Sequence, residues 1–392
     1  MILGLVFLCG TYVFSQFFRA FLAVLAEALK ADLGAGADDL AFASGLWFLT
    51  FALMQLPVGE ALDRIGPRRT ATTLFLFGGA GGAALFAMAS APWHIAAAMV
   101  LIGMGCSPVL MASFFIFSRM YPAAMFATLG SVMIGVGSLG NIAGTLPLAM
   151  AIDAFGWRET LWVLSGFSAL LAVGVYVTVQ DPERTPGPQT GSVLDLLKLR
   201  ALWPIFPMLL VNYLAAGGLR GLWVGPYLAD VYGATNAVVG QATLYMGLAM
   251  IVGTFVYGPL DRWLGTRKWV IFGGNLLGLL AIAALAYQPL AGYWPSVLLI
   301  AAIGFFGMSF PVIMAHARAF VPPHLAGRGV TLMNLFGIGG VGLFQVATSR
   351  VFRATEGPDV AVHLPYQAVF TLFAVSTAIG LALYLFAQDR TD

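Results

Sequence analysis

The chain has 392 residues, of which 60% are hydrophobic and 9% are charged, whereas about 25% of residues are charged in average soluble domains. This composition excludes an ordinary soluble domain and predicts an all-α polytopic membrane protein. The net charge of +2 and the absence of a basic cluster argue against a nucleic-acid partner, and Cys9 and Cys106 lie in apolar runs that predict no disulfide, metal or cofactor site.

Apolar segments of about 20 residues, long enough to cross a bilayer, predict twelve transmembrane helices. The predicted spans are residues 3–29, 40–62, 70–90, 94–118, 125–151, 157–179, 202–229, 236–260, 269–288, 294–318, 328–353 and 364–387. The prolines and glycines of residues 180–200 cannot continue a helix. The sequence therefore predicts two six-helix halves, residues 1–179 and 201–392, joined by a cytoplasmic linker over residues 180–200.

The distribution of basic residues predicts the orientation. Thirteen lysines and arginines fall on the side that carries both termini, and four fall on the opposite side. The positive-inside rule then places both termini in the cytoplasm, with the chain in the plasma (inner) membrane. The start of the chain lacks a charged leader and a clear cleavage site, so we expect an uncleaved first helix. We expect the protein to be a monomer in the lipid bilayer.

Two arginines, Arg19 and Arg220, lie inside predicted spans. A charge at the bilayer centre costs between about 3 and more than 10 kcal/mol, so such residues usually face a bundle interior or an aqueous cavity. Each follows a tyrosine by seven residues, Tyr12 and Tyr213, which predicts that each pair shares a helical face. The alternative for Arg19 is a structural ion pair, for example with Glu27.

The two predicted halves also repeat a short motif. GEALDRIGPRR at residues 59–69 follows the second span, and GPLDRWLGTRK at residues 258–268 follows the eighth. Glycine, Asp-Arg, glycine and paired basic residues recur in both. This repeat makes Arg19 and Arg220 counterparts and predicts a substrate site at the midplane between the halves.

The chain resembles transporters of the major facilitator superfamily, and the resemblance covers its whole length. Residues 59–69 are similar to the family's cytoplasmic signature after helix 2. The resemblance implies that this turn helps to latch the two halves together through charge-assisted bonds that can break and re-form. Arg68 and Arg69 also fit a purely topological role. The residues predicted for this cytoplasmic gate are Gly59, Asp63, Arg64, Gly66, Arg68, Arg69, Asp261 and Arg262.

The arginine pair is similar to that of organophosphate:phosphate antiporters and anion:cation symporters, in which such a pair binds an anion. LRGLWVGPYL at residues 219–228 looks like helix 7 of the antiporters. The chain departs from both groups, because its fourth span is uncharged over residues 97–108 and its second and fifth spans lack the antiporters' additional basic residues. GVGSLG at residues 135–140 lies inside a span, so it predicts close helix packing rather than a nucleotide site.

Guanidinium groups suit a carboxylate or phosphate better than lysine does, because they present a planar fork of donors. Two of them without an acidic partner predict an anionic ligand, or water and chloride when the site is empty. Each aromatic or polar neighbour is alternatively a packing residue, an interfacial anchor or a partner for an adjacent helix. Around the pair, the predicted substrate-binding residues are Tyr12, Gln16, Tyr213, Trp223, Tyr227, Asn141, Tyr245, Asn334 and Gln345.

Two residues are candidates for proton coupling. Glu27 lies eight residues beyond Arg19, and His316 lies near the end of the tenth span. Histidine titrates near neutral pH. The competing interpretations, which we favour, are an interfacial carboxylate for Glu27 and a structural hydrogen-bond donor for His316.

Together these features predict a secondary active transporter that binds a small organic anion through Arg19 and Arg220. The anion is a carboxylate or phosphate, with aromatic anions included. The alternatives are transport of a neutral or amphipathic compound, such as a vitamin or drug, and a transporter-like receptor or intramembrane enzyme. The sequence contains no HExxH or GxSxG motif and no paired intramembrane aspartates, so we do not predict an enzyme.

Overall fold

The computed structural model describes residues 2–120, 123–182, 196–322 and 326–391, and the regular structure within these ranges is helical. The chain divides into two compact units, Met1–Gly187 and Pro188–Asp392, called the first and second units below. Most of the predicted linker, residues 183–195, lies outside the described residues. Its cytoplasmic position therefore stays a prediction.

The first unit contains six helical segments in chain order. They are α1 (Ile2–Phe17 and Leu22–Leu33), α2 (Ala37–Arg64), α3 (Pro67–Leu74, Phe75–Ala80 and Gly81–Ala87), α4 (Pro92–Cys106 and Val109–Met120), α5 (Ala123–Ala143 and Leu146–Phe155) and α6 (Trp157–Thr178).

The second unit repeats this arrangement. Its helices are α7 (Ile205–Tyr232), α8 (Asn236–Leu264), α9 (Lys268–Tyr287), α10 (Tyr293–Arg318), α11 (Ala326–Thr355) and α12 (His363–Tyr384).

Length and hydropathy are sufficient for membrane crossing in ten helices of the described ranges, and two bent pairs raise that number to twelve. The bent pairs are α1 and α5, with angles of 55° and 43° at their breaks. The prediction of an all-α membrane protein with twelve spans is confirmed on this count. The first predicted span, residues 3–29, is broken at residues 18–21, where α1 bends.

The break in α1, residues 18–21, contains neither glycine nor proline. Aromatic packing accompanies it. Phe17, Phe18 and Phe21 form successive ring contacts with centroids 5.4–5.9 Å apart. Phe21 also packs on Phe86 of α3, at 5.5 Å. Backbone bonds across the break include a short-range one from Ala20 to Phe17, at 3.0 Å.

Close contact between α1 and α5 holds the two bent helices together. A β-carbon at Gly140 would overlap the carbonyl oxygen of Val13, and one at Gly144 would lie 3.3 Å from the carbonyl oxygen of Phe17. The backbones approach because these positions carry no side chain. The packing predicted for GVGSLG is thus seen at its last glycine, whereas Gly135 at its start faces open space.

We therefore expect Gly140→Val to destabilise the protein by about 1–3 kcal/mol or more, because the added methyl groups would force α5 away from α1. The matched control is Gly135→Val, which adds the same side chain where nothing lies within 4 Å. Thermal unfolding in detergent, followed by intrinsic fluorescence, compares the two variants. Equal Tm values for both would contradict this account of the α1 and α5 contact.

Candidate functional site

Arg19 lies at the break between the two parts of α1, half-buried against an aromatic surface of α2. Its Cζ is 5.4 Å from the ring centroid of Trp47 and 5.2 Å from that of Phe51. The two rings stack on one another at 5.2 Å with an interplanar angle of 15°. These distances are typical of cation–π contacts, which stabilise a guanidinium without neutralising it.

The charge of Arg19 has no acidic counterpart close by. Among the described residues, no carboxylate lies within ion-pair distance of its guanidinium. Its Nε is buried and has no hydrogen-bond partner. Glu27 is exposed, so the ion pair considered for Arg19 does not form and the interfacial interpretation of Glu27 fits its position. A buried donor without an acceptor is costly, and such atoms are often completed by a ligand or water.

Among the polar atoms of the first unit that share this property, three belong to residues of α1, α2 and α5. The Nε2 of Gln16 donates to the hydroxyl of Tyr12 at 3.0 Å, but its Oε1 is buried without a partner. The Oδ1 of Asn141 on α5 and the Nε1 of Trp47 on α2 are also buried and unbonded. Gln16 and Asn141 were predicted from the sequence. Trp47 was missed, although its spacing of four residues from Phe51 places both rings on one helical face.

Arg220 lies in a π-helical turn of α7, Leu219–Trp223, and is 4% exposed. Its Nη2 donates to the hydroxyl of Tyr213 at 3.2 Å, so this pair meets as the spacing of seven residues predicts. Tyr12 instead lies against Gly137 of α5 and bonds Gln16. The helical face that Tyr12 occupies ends at Phe17, before Arg19.

A buried amide secures the turn that carries Arg220. Gln345 of α11 accepts from the indole of Trp223 at 2.9 Å and donates to the carbonyl oxygen of Gly218 at 3.2 Å. Thr348 also accepts from Trp223, at 3.1 Å. Trp223 and Gln345, both predicted as substrate residues, therefore bond each other across the π-turn. These bonds hold the π-helical turn that carries Arg220 against α11.

The remaining predicted substrate residues of the second unit lie apart from this network. Tyr227 is fully buried and donates to the carbonyl oxygen of Pro289 at 2.6 Å. Tyr245 is 41% exposed and packs on Trp294 at a centroid distance of 6.3 Å. Asn334 is half-buried. Within the described ranges no hydrogen bond or ring contact joins any of these three to Arg220, so their substrate role stays a prediction.

His316 is fully buried and holds α10 to the end of α12. Its Nδ1 lies 2.7 Å from the hydroxyl of Tyr384, and its Nε2 lies 2.8 Å from the carbonyl oxygen of Gln388. Both ring nitrogens are thus engaged within the second unit. This arrangement fits the structural interpretation of His316 better than a role in proton coupling.

The turn between α2 and α3 carries the first predicted gate motif. Arg64 pairs with Glu60 at 2.9 Å on an exposed surface, and Arg69 is exposed. The backbone N–H of Arg68 donates to Asp181 at 2.7 Å, and its side chain lies 3.9 Å from the same carboxylate. Gly66 adopts a φ of 108°, which disfavours any residue with a side chain.

The structure gives fewer contacts for the remaining residues of the predicted gate. Gly59 is half-buried in α2, and the side chain of Asp63 lies outside the described residues. In the turn between α8 and α9, Asp261 pairs with Arg267 at 3.2 Å, whereas Arg262 is exposed. The bonds seen in both turns lie within one unit. A latch between the units stays a prediction.

An aspartate after the last helix of each unit completes these turns. Asp389 accepts from the backbone N–H groups of Arg267 and Lys268 at 3.1 and 3.0 Å and from the Thr266 hydroxyl. Asp181 does the same for Arg68 in the first unit. The sequence analysis missed both aspartates, although each follows a glutamine directly after the sixth or twelfth span. Each carboxylate accepts from backbone N–H groups at the N-terminal end of α3 or α9, as a capping side chain does.

The capping bonds make a prediction about pH. Burial opposes ionisation of Asp389, but hydrogen bonds from Thr266, Lys268 and Arg267 outweigh it and hold the pKa of this carboxyl below its ordinary value of 3.8. A lowered folded-state pKa stabilises the fold above the unfolded value and loses that contribution as the pH falls through the folded one. Asp389→Asn should therefore cost about 1 kcal/mol at pH 7 and progressively less below about pH 4.

Thermal unfolding at pH 7 and at acidic pH measures this difference. Asp359→Asn is the matched control, because Asp359 is exposed in the loop before α12. A deficit of Asp389→Asn that persists unchanged at pH 3, or an equal deficit in the control, would contradict the capping role.

The whole chain has counterparts among known proteins. The model of the Major Facilitator Superfamily matches residues 8–225 and 205–392. The uncharacterized MFS-type transporter YceJ of Bacillus subtilis (strain 168) is 24% identical over 358 residues, which are 87% of this chain and 84% of the relative. The probable galactarate/D-glucarate transporter GudP of the same organism is 22% identical over 360 residues, 81% of this chain and 78% of that relative.

A solved structure is similar in fold. The crystal structure of the nucleoside transporter NupG matches with a TM-score of 0.74 and 17% identity, and the match covers 98% of each chain. At this identity the likeness concerns the arrangement of helices alone.

Proposed function

The chain belongs to the Major Facilitator Superfamily of membrane transporters, and on that premise we propose that it transports a small organic anion, a carboxylate or phosphate, bound by Arg19 and Arg220. Transport is secondary and active, and proceeds by alternating access. Each unit contributes one arginine. A ligand that neutralises both groups would favour closure around the substrate.

The observation that carries this proposal is the state of Arg19. Its guanidinium lies against two stacked rings, its Nε lacks an acceptor, and no described carboxylate lies within ion-pair distance. A structural arginine at membrane depth would be expected to have an acidic partner. An anionic substrate supplies both the missing charge and the missing acceptor.

The backbone around the two arginines supports the same conclusion. Arg19 lies at a break of 55° in α1, and Arg220 lies in a π-helical turn of α7. Helix breaks and π-turns at membrane depth are tolerated where they are buried in protein or line a cavity, and they frequently mark binding sites of transporters. Corresponding helices of the two units depart from regular geometry where each carries its arginine.

The relatives add weaker support. GudP carries the name of a transporter of galactarate and D-glucarate, which are carboxylates. This name accords with the organophosphate:phosphate antiporter or anion:cation symporter type that we propose for this chain.

Replacing each arginine by lysine tests the clamp, because lysine keeps the charge but cannot present a planar fork. A panel of carboxylates and organophosphates is first screened by thermal shift on the purified full chain. A ligand present at about a hundred times its Kd should stabilise the protein by roughly 2.7 kcal/mol. We expect Arg19→Lys and Arg220→Lys each to weaken binding at least tenfold and to abolish counterflow of the labelled ligand in liposomes.

The matched control is Arg350→Lys on α11, because Arg350 is exposed. It should bind and exchange the ligand as the wild type does. Full counterflow in both lysine variants would contradict the clamp. Stabilisation only by uncharged compounds would overturn the anion assignment and favour the transport of a neutral compound.

We also propose that both termini face the cytoplasm of a bacterial cell, in the inner membrane, and that the protein acts as a monomer. Fusions of a fluorescent reporter and of a periplasm-dependent phosphatase to the C-terminus test the orientation. The fluorescent fusion should be active and the phosphatase fusion inactive, because the positive-inside rule places the basic loops, and with them the C-terminus, in the cytoplasm. An active phosphatase fusion would contradict the proposed orientation and place the C-terminus in the periplasm.

A further inference from the structure

The first unit contains more unsatisfied polar groups than an anionic head group can complete. Two of them are donors, the Nε of Arg19 and the Nε1 of Trp47. Two more are amide oxygens, the Oε1 of Gln16 and the Oδ1 of Asn141. A carboxylate offers only acceptors, so it can serve the first pair but not the second.

Helix contacts bring these four groups to one region of the first unit. Trp47 lies against Arg19 at 5.4 Å, and Gln16 precedes Arg19 by three residues. Asn141 directly follows Gly140, whose Cα lies against the backbone of α1 at Val13 and Phe17, on either side of Gln16. The amides of α1 and α5 therefore lie at the same level, next to the break that carries Arg19.

The amide groups need a partner that donates. Within the side chain of Gln16, the nitrogen already bonds Tyr12 at 3.0 Å, which leaves the oxygen as the open group. A hydroxyl both donates and accepts, so it completes these amides in either orientation of their O and N atoms. An aliphatic or unsubstituted ligand would leave both amides desolvated and unbonded in the bound state.

We propose that the substrate is a hydroxylated carboxylate, a small acid whose carboxylate binds the arginines and whose hydroxyl groups bond Gln16 and Asn141. This inference rests on the proposed function, because it assumes that Arg19 binds the acid group. It adds the second recognition element, which selects among organic anions. Sites built to bond a hydroxyl discriminate strongly against analogues that lack it, because their own polar groups remain unpaired.

The test compares acids that differ only in hydroxyl groups. The pairs are propionate and lactate, succinate and tartrate, and adipate and galactarate, with galactitol as an uncharged hydroxylated compound. Kd values come from thermal shift and calorimetry on the purified full chain. We expect the hydroxylated member to bind at least tenfold tighter in the pairs that bind, and galactitol to bind more weakly than any of these acids.

Two variants locate the effect. Gln16→Leu and Asn141→Leu should weaken binding of the hydroxylated acid towards that of its unsubstituted partner, with the latter changed less than about twofold. Gln55→Leu is the matched control, because this buried amide already donates to the carbonyl oxygens of Phe51 and Ser107 at 3.1 and 3.4 Å. Gln16→Met is a second variant should Gln16→Leu fail to fold.

The outcomes separate the two proposals. If acids bind but their hydroxyl groups make no difference, water completes the amides and the inference is overturned while the anion site stands. If no acid binds, or if galactitol binds as tightly as galactarate, the proposed function itself fails. An equal loss of preference in Gln55→Leu would also contradict the assignment to Gln16 and Asn141.

Discussion

The constraint on which this structure depends is a half-buried guanidinium, that of Arg19, which has no carboxylate of the described residues within ion-pair distance. A positive guanidinium charge withdrawn from water needs a counterion or hydrogen-bond acceptors to offset the lost hydration. The stacked rings of Trp47 and Phe51 stabilise that charge only in part, at distances just above 5 Å. An anionic substrate is the partner that we propose for this charge and for the unbonded Nε.

Both arginines lie where a helix departs from regular geometry. A straight α1 would carry Arg19 on a regular helical face, whereas the break of 55° presents it together with its neighbouring backbone. The glycines of α5 let the two bent helices lie against one another closely enough to tolerate this geometry. In the second unit, the bonds from Gln345 to both sides of the π-turn do the corresponding work for Arg220. Each unit thus supports its arginine by a different local device.

Much of this organisation could be predicted from the sequence. Hydropathy predicts the spans because bilayer thickness fixes helix length, and the repeated tyrosine and arginine spacing led to the contact between Tyr213 and Arg220. The break in α1 could not be predicted, because the segment around Arg19 contains no helix-breaking residue and tertiary packing of phenylalanines accompanies the bend. Trp47 was missed because an aromatic residue in a span is ordinarily a packing residue. Asp181 and Asp389 act through the backbone of distant turns, which residue types alone do not reveal.

The central claim is that charge, rather than shape, selects the substrate. Calorimetry on the purified chain can compare acids with their primary amides, which have nearly the same size but no charge, using tartrate against tartramide and adipate against adipamide. We expect each acid that binds to do so at least a hundredfold more tightly than its amide, because its carboxylates can form charge-assisted bonds to the arginines. Equal affinities for acid and amide would contradict it.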